Sequence, residues 1–506
     1  MAESTVAAVD LGSNSFRLQV ARVVDDQIYP LDSLREPVRF GAGLGPDKKL
    51  DESSQQRALD CLKRFGERLR GMPPEAVRAV GTNTLRVAKN ARDFLRKAEA
   101  ALGFPIEVVA GREEARLIYL GVSHSLPVTD DKRLVVDIGG GSTEFVIGSG
   151  YRPKRLESLY MGCVSYSIKF FPGGKLAKSH MKQAELAARL ELQTIVKDFA
   201  AGHWKEAAGS SGTAGALAEI LQQNGWSDGS ITAEGLDRLR SAILKAGEID
   251  RLSFPGLRAD RVPVLPGGFA IMSAIFAELK VQRMIIATGA MRQGILYDML
   301  GRIHHHDMRD TAVTQFMKRY HVDGAQARQV ESLAVSLFRQ FAGDLRADDE
   351  HLLQSLSWAA QLHEIGLSVA HNGYHKHSAY ILSHADIPGF SKMEQNRLAL
   401  LVLAHRGSLD KMRGLLQGDV DLAQIIALRL AALFHRSRTN ARLPDIEAHC
   451  KGADYRLKLD PDWLRDNPLT AAALKEETRE WRKLGVDLEI KSLEGIDADA
   501  EATLAD

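Results

Sequence analysis

The chain has 506 residues, 45% hydrophobic and 26% charged, an ordinary globular composition with room for roughly three or four domains of about 100–200 residues. Its net charge of +1 excludes a global positive field, so a polyanion must meet local positive patches and no nucleic-acid partner is expected. Three scattered cysteines (Cys61, Cys163, Cys450), no signal-peptide pattern and no apolar stretch approaching ~20 residues point to a cytoplasmic protein, with peripheral membrane association left open.

Val6–Asp10 and Leu18–Val24 read as strands joined by a polar, Gly-containing turn. Ser53–Arg70 is predicted helical, since Ala58, Cys61, Leu62, Phe65 and Leu69 fall on one face. "AVRAVGT" reads as a short strand, Leu85–Leu102 as a helix ended by Gly103, and "PIEVVAG" as a strand feeding a helix from about Arg112 to Val122. A hairpin-like unit follows at Leu134–Ile147. Strands alternating with helices predict an α/β domain with a substantial sheet. After about Arg302 the pattern turns helical, over Ala325–Phe341, Leu352–Ile365, Gln395–Ala404 and Asp421–Phe434. Strand signals return only near Tyr455 and Val486, and the acidic tail "IDADAEATLAD" is expected to fray.

Two stretches match each other. "VDLGSNSFRL" from Val9 and "VDIGGGSTEF" from Val136 share V-D-apolar-G-x-x-S/T and run on into apolar sequence. They read as a duplicated strand–turn–strand unit, with two halves facing each other across a cleft. Glycine lets backbone N–H groups approach an anion closely, and successive N–H groups in such a turn form an anion-binding concavity. Ser13, Ser15, Ser142 and Thr143 add hydroxyl donors, and Asp10 and Asp137 suit a hard cation such as Mg²⁺ between the two turns. The blander alternative is a pair of tight hairpins with aspartate as a turn former. Two copies, each with aspartate before glycine, favour the functional reading.

"AGREEARLIYLG" leaves a strand and opens a helix with Glu113 and Glu114 in its first turn. The helix macrodipole alone accounts for acids there. A carboxylate at a strand exit is also placed to orient or deprotonate a water attacking phosphorus. "GTNTLRVAKN" sets Arg86 at a helix start, suited to a phosphate or simply to solvent. "GSSGTAGAL" and "ATGAMRQGILYDML" are two further glycine turns before helices, each weak on its own.

Together these pieces resemble the actin-like ATPase superfold, and within it the exopolyphosphatase and guanosine pentaphosphate phosphohydrolase family, long form. The matching motifs are "AAVDLGSNSFRL", "GTNTLR", "GREEARLIYLGV", "VVDIGGGSTEFVIG", "MGCVS", "GSSGTAGAL" and "TGAMRQGILY", in order over residues 6–297. "LHEIGLSVAHNGYHKHSAYIL" and "DIPGF" extend the likeness into the helical half. The resemblance implies a duplicated actin-like fold of two α/β lobes, residues 1–124 and 125–302. A helical HD-like region over 303–445 and a small α+β domain over 446–506 follow. It implies Glu114 as the catalytic acid/base and Asp10 and Asp137 near the metal. It also places Ser13, Asn14, Ser15, Arg86, Gly139, Gly140, Gly141, Ser142 and Thr143 on phosphate. Mg²⁺ is the implied cofactor, with a monovalent ion such as K⁺ as a second candidate, and a homodimer is expected.

The triple glycine and "FPGGK" at Phe171–Lys175 lean toward inorganic polyphosphate as substrate. Guanosine pentaphosphate is the alternative, and a nucleotide-dependent kinase or a binding module is the reading of a different class. In the helical half, His363-Glu364 replaces the His-Asp pair of an HD site. With His371, His375, His377 and His384 it reads as a degenerate scaffold that extends the anion-binding surface or holds a dimer. His304–His306 reads as a solvated linker.

Overall fold

The computed structural model describes residues 4–24, 27–127, 129–303, 307–345, 350–412, 419–439, 443–452 and 454–491. His304–His306 and the acidic tail lie outside these residues. The chain forms two compact units, Met1–Met308 with Pro388–Lys392, and Arg309–Ile387 with Met393–Asp506.

The first unit holds two sheets built to one plan. Strands β1 (Ser4–Leu11), β2 (Phe16–Val24), β3 (Gln27–Glu36), β4 (Val77–Gly81) and β5 (Ile106–Val108) lie in the order β3-β2-β1-β4-β5. Strands β6 (Arg133–Ile138), β7 (Thr143–Ser149), β8 (Arg152–Leu159), β9 (Glu206–Ser210), β10 (Ile231–Thr232) and β11 (Arg283–Ile286) lie in the order β10-β11-β9-β6-β7-β8. In each sheet a hairpin, β1–β2 or β6–β7, meets a parallel neighbour, β4 or β9. The repeated sequence motif is therefore a repeated topology, the duplicated actin-like fold. Strand β6 is buried along its whole length, which is why it reads as a continuous apolar run rather than an alternation.

Helices α1 (Glu52–Leu69), α2 (Asn83–Val87) and α3 (Ala91–Leu102) pack with the first sheet, while α4 (Gly111–Ser123) lies against β7 and β8 of the second. The buried face of α1 includes Ala58, Cys61, Leu62, Phe65 and Leu69, and Asp51 caps it by accepting from the Ser54 amide at 2.6 Å. The single helix expected over Leu85–Leu102 is broken between α2 and α3. Asn90 turns its carboxamide onto both main-chain groups of Leu50, at 2.9 and 3.0 Å, and so competes with the helix ladder. Strand β3 escaped the sequence reading because it is a polar edge strand carrying Pro30, which sits where the pairing register shifts.

The second sheet packs with α5 (Cys163–Phe170), α6 (Lys178–Leu192), α7 (Val196–Phe199), α8 (Ser211–Gln223), α9 (Ala233–Ala246) and α10 (Leu265–Leu279), while α11 (Met291–Ile303) lies against α4 and against β1 and β2 of the first sheet. Contrary to the sequence expectation, one stretch, Val262–Leu279, is long and apolar enough to cross a membrane. It is 67% buried inside the unit and forms the centre of a core with Leu134, Phe145, Leu217 and Met284.

The second unit is mainly helical, with α12 (Met308–Arg319), α13 (Gly324–Leu345), α14 (Glu350–Leu362), α15 (Tyr374–His384), α16 (Lys392–Ala404) and α17 (Asp419–Phe434). Strands β12 (Glu447–Lys451), β13 (Asp454–Lys458) and β14 (Asp487–Ile490) form a small sheet with α18 (Pro461–Asp466) and α19 (Pro468–Arg482). Strand β12 was missed because only Ala448 and Cys450 of its five residues point inward. His363 is buried with Nδ1 2.6 Å from the Ala360 carbonyl oxygen, and its ring meets His405 edge-on at 5.1 Å. Among the described residues, no group of three or more His, Cys, Asp or Glu is placed to hold a metal.

Candidate active site

The two repeated hairpins put their aspartates at matching places. Asp10 faces Arg17 across β1–β2, and Asp137 faces Glu144 across β6–β7, each one residue before its strand ends. The turns that follow line one cleft of about 110 Å³. Into it come Asp10, Ser13, Asn14 and Ser15 from the first hairpin, and Asp137, Gly139, Gly140, Gly141 and Ser142 from the second. Glu114 on the first turn of α4 joins them, as do the third and fourth glycine turns through Ser211, Gly212, Thr213, Ala290 and Arg292. Four stretches that were weak singly thus share one site.

The turns are held from behind. The carbonyl oxygens of Ser13 and Asn14 accept from the Gly41 and Arg39 amides, at 2.7 and 2.8 Å. Those of Gly139 and Gly140 accept from Cys163 and Val164, at 2.9 and 3.0 Å. Carbonyls tied back in this way suit a turn that offers its amides to an anion. The glycines are needed for space. A Cβ on Gly140 would lie 3.0 Å from the Asn14 nitrogen of the opposite turn, and one on Gly141 would strike the Asn83 carboxamide. The Ser15 hydroxyl, the Asn83 Nδ2 and the Arg292 Nε are buried without a hydrogen-bond partner. Ser15 and Arg292 line the cleft, where such donors suit an anionic ligand.

Burial pushes the Asp10 carboxyl up to about 7, with Arg17 and Arg292 opposing and Glu114 and Asp137 adding to the rise. Burial likewise raises Asp137 to about 6, against the Ser210 hydroxyl that donates to its Oδ2 at 2.5 Å. Glu144, almost wholly buried and accepting from Ser158 Oγ at 2.9 Å, is held well above the usual carboxylate range by burial and by its neighbours Glu114 and Asp137. Clustered carboxyls with raised affinity for protons fit a divalent cation, which would relieve the same repulsion. Asp10 and Asp137 are the residues at the cleft that would hold it, and phosphate oxygens and water would complete an oxygen shell. The site offers no ready cage of three protein ligands.

Glu114 is 7% exposed and accepts from Arg86 Nη1 at 2.7 Å, while the same nitrogen donates to the Val109 carbonyl at 3.0 Å. Arg86 does not line the cleft; it holds the glutamate that does. Thr143 corrects another expectation. Its hydroxyl is fully buried and donates to the Met161 carbonyl at 2.6 Å, so it braces the hairpin rather than facing phosphate.

Sequence reasoning missed the arginines. Arg17, Arg261 and Arg292 all line the cleft. Burial lowers the proton affinity of all three, Arg292 to about 10, and the charge of Arg17 adds to the fall of Arg261 and Arg292. Arg17 stood inside the quoted hairpin and was legible as the residue opposite Asp10. Arg261 sits in "RADRVPVLP", where no local pattern marks it. The Gln293 side chain accepts from the Ala290 amide at 3.2 Å.

The features taken as favouring polyphosphate have local explanations. The triple glycine clears Asn14 and Asn83. Gly173 and Gly174 have positive φ in a 3₁₀ turn whose end, Lys175, bridges to Glu248.

The profile of the Ppx/GppA phosphatase family matches residues 19–303, and that of its domain III matches residues 308–478. The chain is 38% identical over 487 residues to a guanosine-5'-triphosphate,3'-diphosphate pyrophosphatase of Vibrio cholerae, covering 96% of this chain and 98% of that one. It is 36% identical over 488 residues to the protein of the same description from Vibrio vulnificus, with the same coverage. Among solved structures it is similar to an exopolyphosphatase from Cytophaga hutchinsonii, with a TM-score of 0.54 and 24% identity over 59% of this chain and 98% of that one. A Ppx/GppA family member from Aquifex aeolicus gives a TM-score of 0.51 and 24% identity over 60% of this chain and 100% of that one.

Proposed function

Because the chain belongs to the Ppx/GppA phosphatase family and is a hydrolase of phosphoric anhydrides, we propose that its substrate is guanosine 5'-triphosphate 3'-diphosphate, from which it removes the terminal 5' phosphate. Inorganic polyphosphate, favoured on the sequence alone, becomes the second reading. The choice between them follows relatives matched along nearly the whole chain, against two glycine features that packing already explains.

The observation that carries the reaction class is one cleft lined by Glu114, both aspartate–glycine turns and three arginines. The turns take the terminal phosphoryl group on main-chain and hydroxyl donors. Glu114, held in place by Arg86, orients a water and accepts its proton as the oxygen attacks phosphorus. The P–O bond to the neighbouring phosphate breaks, and orthophosphate leaves on one side and the shortened nucleotide on the other. Arg17, Arg261 and Arg292 hold the anionic remainder of the substrate. The family's divalent cation, here proposed as Mg²⁺ at Asp10 and Asp137, supplies charge neutralisation when bound. Preorganised donors of this kind are generally the larger part of catalysis at phosphorus.

Competition decides the substrate. With guanosine pentaphosphate and long-chain polyphosphate at matched concentration and Mg²⁺ present, the nucleotide should show the higher kcat/KM by about tenfold or more, a difference of roughly 1.4 kcal/mol in transition-state binding. The opposite ratio overturns the assignment and returns polyphosphate to first place.

A further inference from the structure

Glu113, the neighbour of Glu114, has no part in the cleft. It is 3% exposed and lies in a chain of buried charges across four elements. Its two oxygens accept from Arg116 Nε and Nη2 at 2.8 and 2.7 Å. Arg116 Nη2 also reaches Asp298 Oδ1 on α11 at 2.5 Å, and Asp298 Oδ2 accepts from Arg78 Nη1 on β4 at 2.6 Å. Arg78 closes onto Glu107 of β5 at 3.1 Å. Three carboxylates face two guanidiniums. A further donor arrives from the main chain, the Gly389 amide, 2.8 Å from Glu113 Oε2.

Gly389 lies in Pro388–Lys392, the one stretch from beyond residue 308 that packs as part of the first unit. Gly389 is the fourth residue of the "DIPGF" motif, which the proposed function leaves unused. Its φ of +86° is available chiefly to glycine, and the next two residues, Phe390 and Ser391, are fully buried. The amide is therefore delivered to Glu113 by a fixed segment.

Stability is a poor reason for such a network, because buried ion pairs generally gain little over apolar packing of the same volume. Geometry is a better one. Successive residues on a helix point about 100° apart, so a grip on Glu113 sets the rotation of the first turn of α4 and with it the direction of Glu114.

We propose that Glu113 is a positioning residue for hydrolysis: gripped by Arg116 and by the Gly389 amide, it fixes the first turn of α4 so that the Glu114 carboxylate stays where the attacking water must be. This rests on the reading of Glu114 given above. Glu113→Asp keeps the charge and withdraws the carboxylate by one methylene from both partners. Its kcat should fall about tenfold to a hundredfold, the scale on which a misplacement near 1 Å acts, with KM within about twofold of wild type. Gly389→Ala, which disturbs the same contact from its other end, should lower kcat in the same way. Unchanged kcat in a folded Glu113→Asp protein overturns the proposal, as does an equal loss through KM alone. If the wild type hydrolyses neither substrate, the function reading fails by itself. The position of Glu114 in a crystal structure of the Glu113→Asp protein then decides this one: a displaced carboxylate supports it, an unmoved one sinks it.

Discussion

Glu114 is held by Arg86, which does not itself line the cleft. Replacing it with glutamine keeps the shape and a hydrogen-bond acceptor for Arg86 but removes the proton acceptor. Glu114→Gln should stay folded, with a melting temperature near that of wild type, and release phosphate about 10²–10⁴-fold more slowly; near-normal turnover would remove the glutamate from the mechanism. The aspartates give a second test. Their folded-state values of about 7 and about 6 lie above the ordinary 3.8, so without a cation each holds a proton that the unfolded chain has already released. Each therefore subtracts stability as pH rises from about 4 through its folded value. A cation that replaces those protons binds better as they leave. The thermal shift produced by Mg²⁺ should grow between about pH 5 and pH 8 and be small at the acid end. A shift independent of pH would place the cation elsewhere. At this scale the short-range signals were legible, such as Asp10 before Gly12 and Asp137 before Gly139. Residues defined by distant partners were hidden: Arg261 reaches the cleft from a loop, and Thr143, a hydroxyl in the right motif, faces the wrong way.

Elements were legible where one face decides them. Helix α1 buries the residues its spacing foretold, and the hairpins β1–β2 and β6–β7 follow the repeated motif. They were illegible where a side chain from elsewhere intervenes, as Asn90 does in dividing α2 from α3, or where an edge strand is polar, as β3 is. The contact of α4 with α11 belongs with these long-range effects. Gly121 and Gly294 bring the two helices together: a Cβ on Gly294 would collide with the Leu117 carbonyl oxygen, and one on Gly121 with that of Ala290. Both obstacles are main chain and cannot swing aside. Gly294→Ala should therefore lower stability by about 1–3 kcal/mol, as overpacking does, and move α4. Since α4 carries Glu114 and α11 begins beside Arg292, a loss of kcat beyond that of a surface alanine is expected, measured well below the melting temperature. Wild-type turnover in a destabilised protein would show that the helix contact serves folding alone.

Across the whole chain, 66 basic residues almost balance 65 acidic ones, so net charge says nothing of an anionic substrate. The distribution does. Arg17, Arg261 and Arg292 line the cleft, and Arg35 and Arg258 stand within electrostatic reach of Arg17, with Asp260 pairing Arg35 at 2.7 Å and Arg258 at 3.3 Å. Burial chiefly, with repulsion from neighbouring arginines added, lowers the proton affinities of Arg17, Arg261 and Arg292, and a substrate rich in phosphates relieves that repulsion. Attraction of this kind is screened as the Debye length shrinks from about 14 Å at 0.05 M salt to about 4 Å at 0.5 M. Over that range KM for the proposed nucleotide should rise several-fold while kcat, set by Glu114 and the turns, changes less. Arg261→Ala should raise KM at low salt and flatten its dependence on ionic strength, because one of the charges being screened is gone. A KM indifferent to salt in the wild type would mean that the arginines act only on one another and on Asp10 and Asp260, and that the substrate is held by the turns alone.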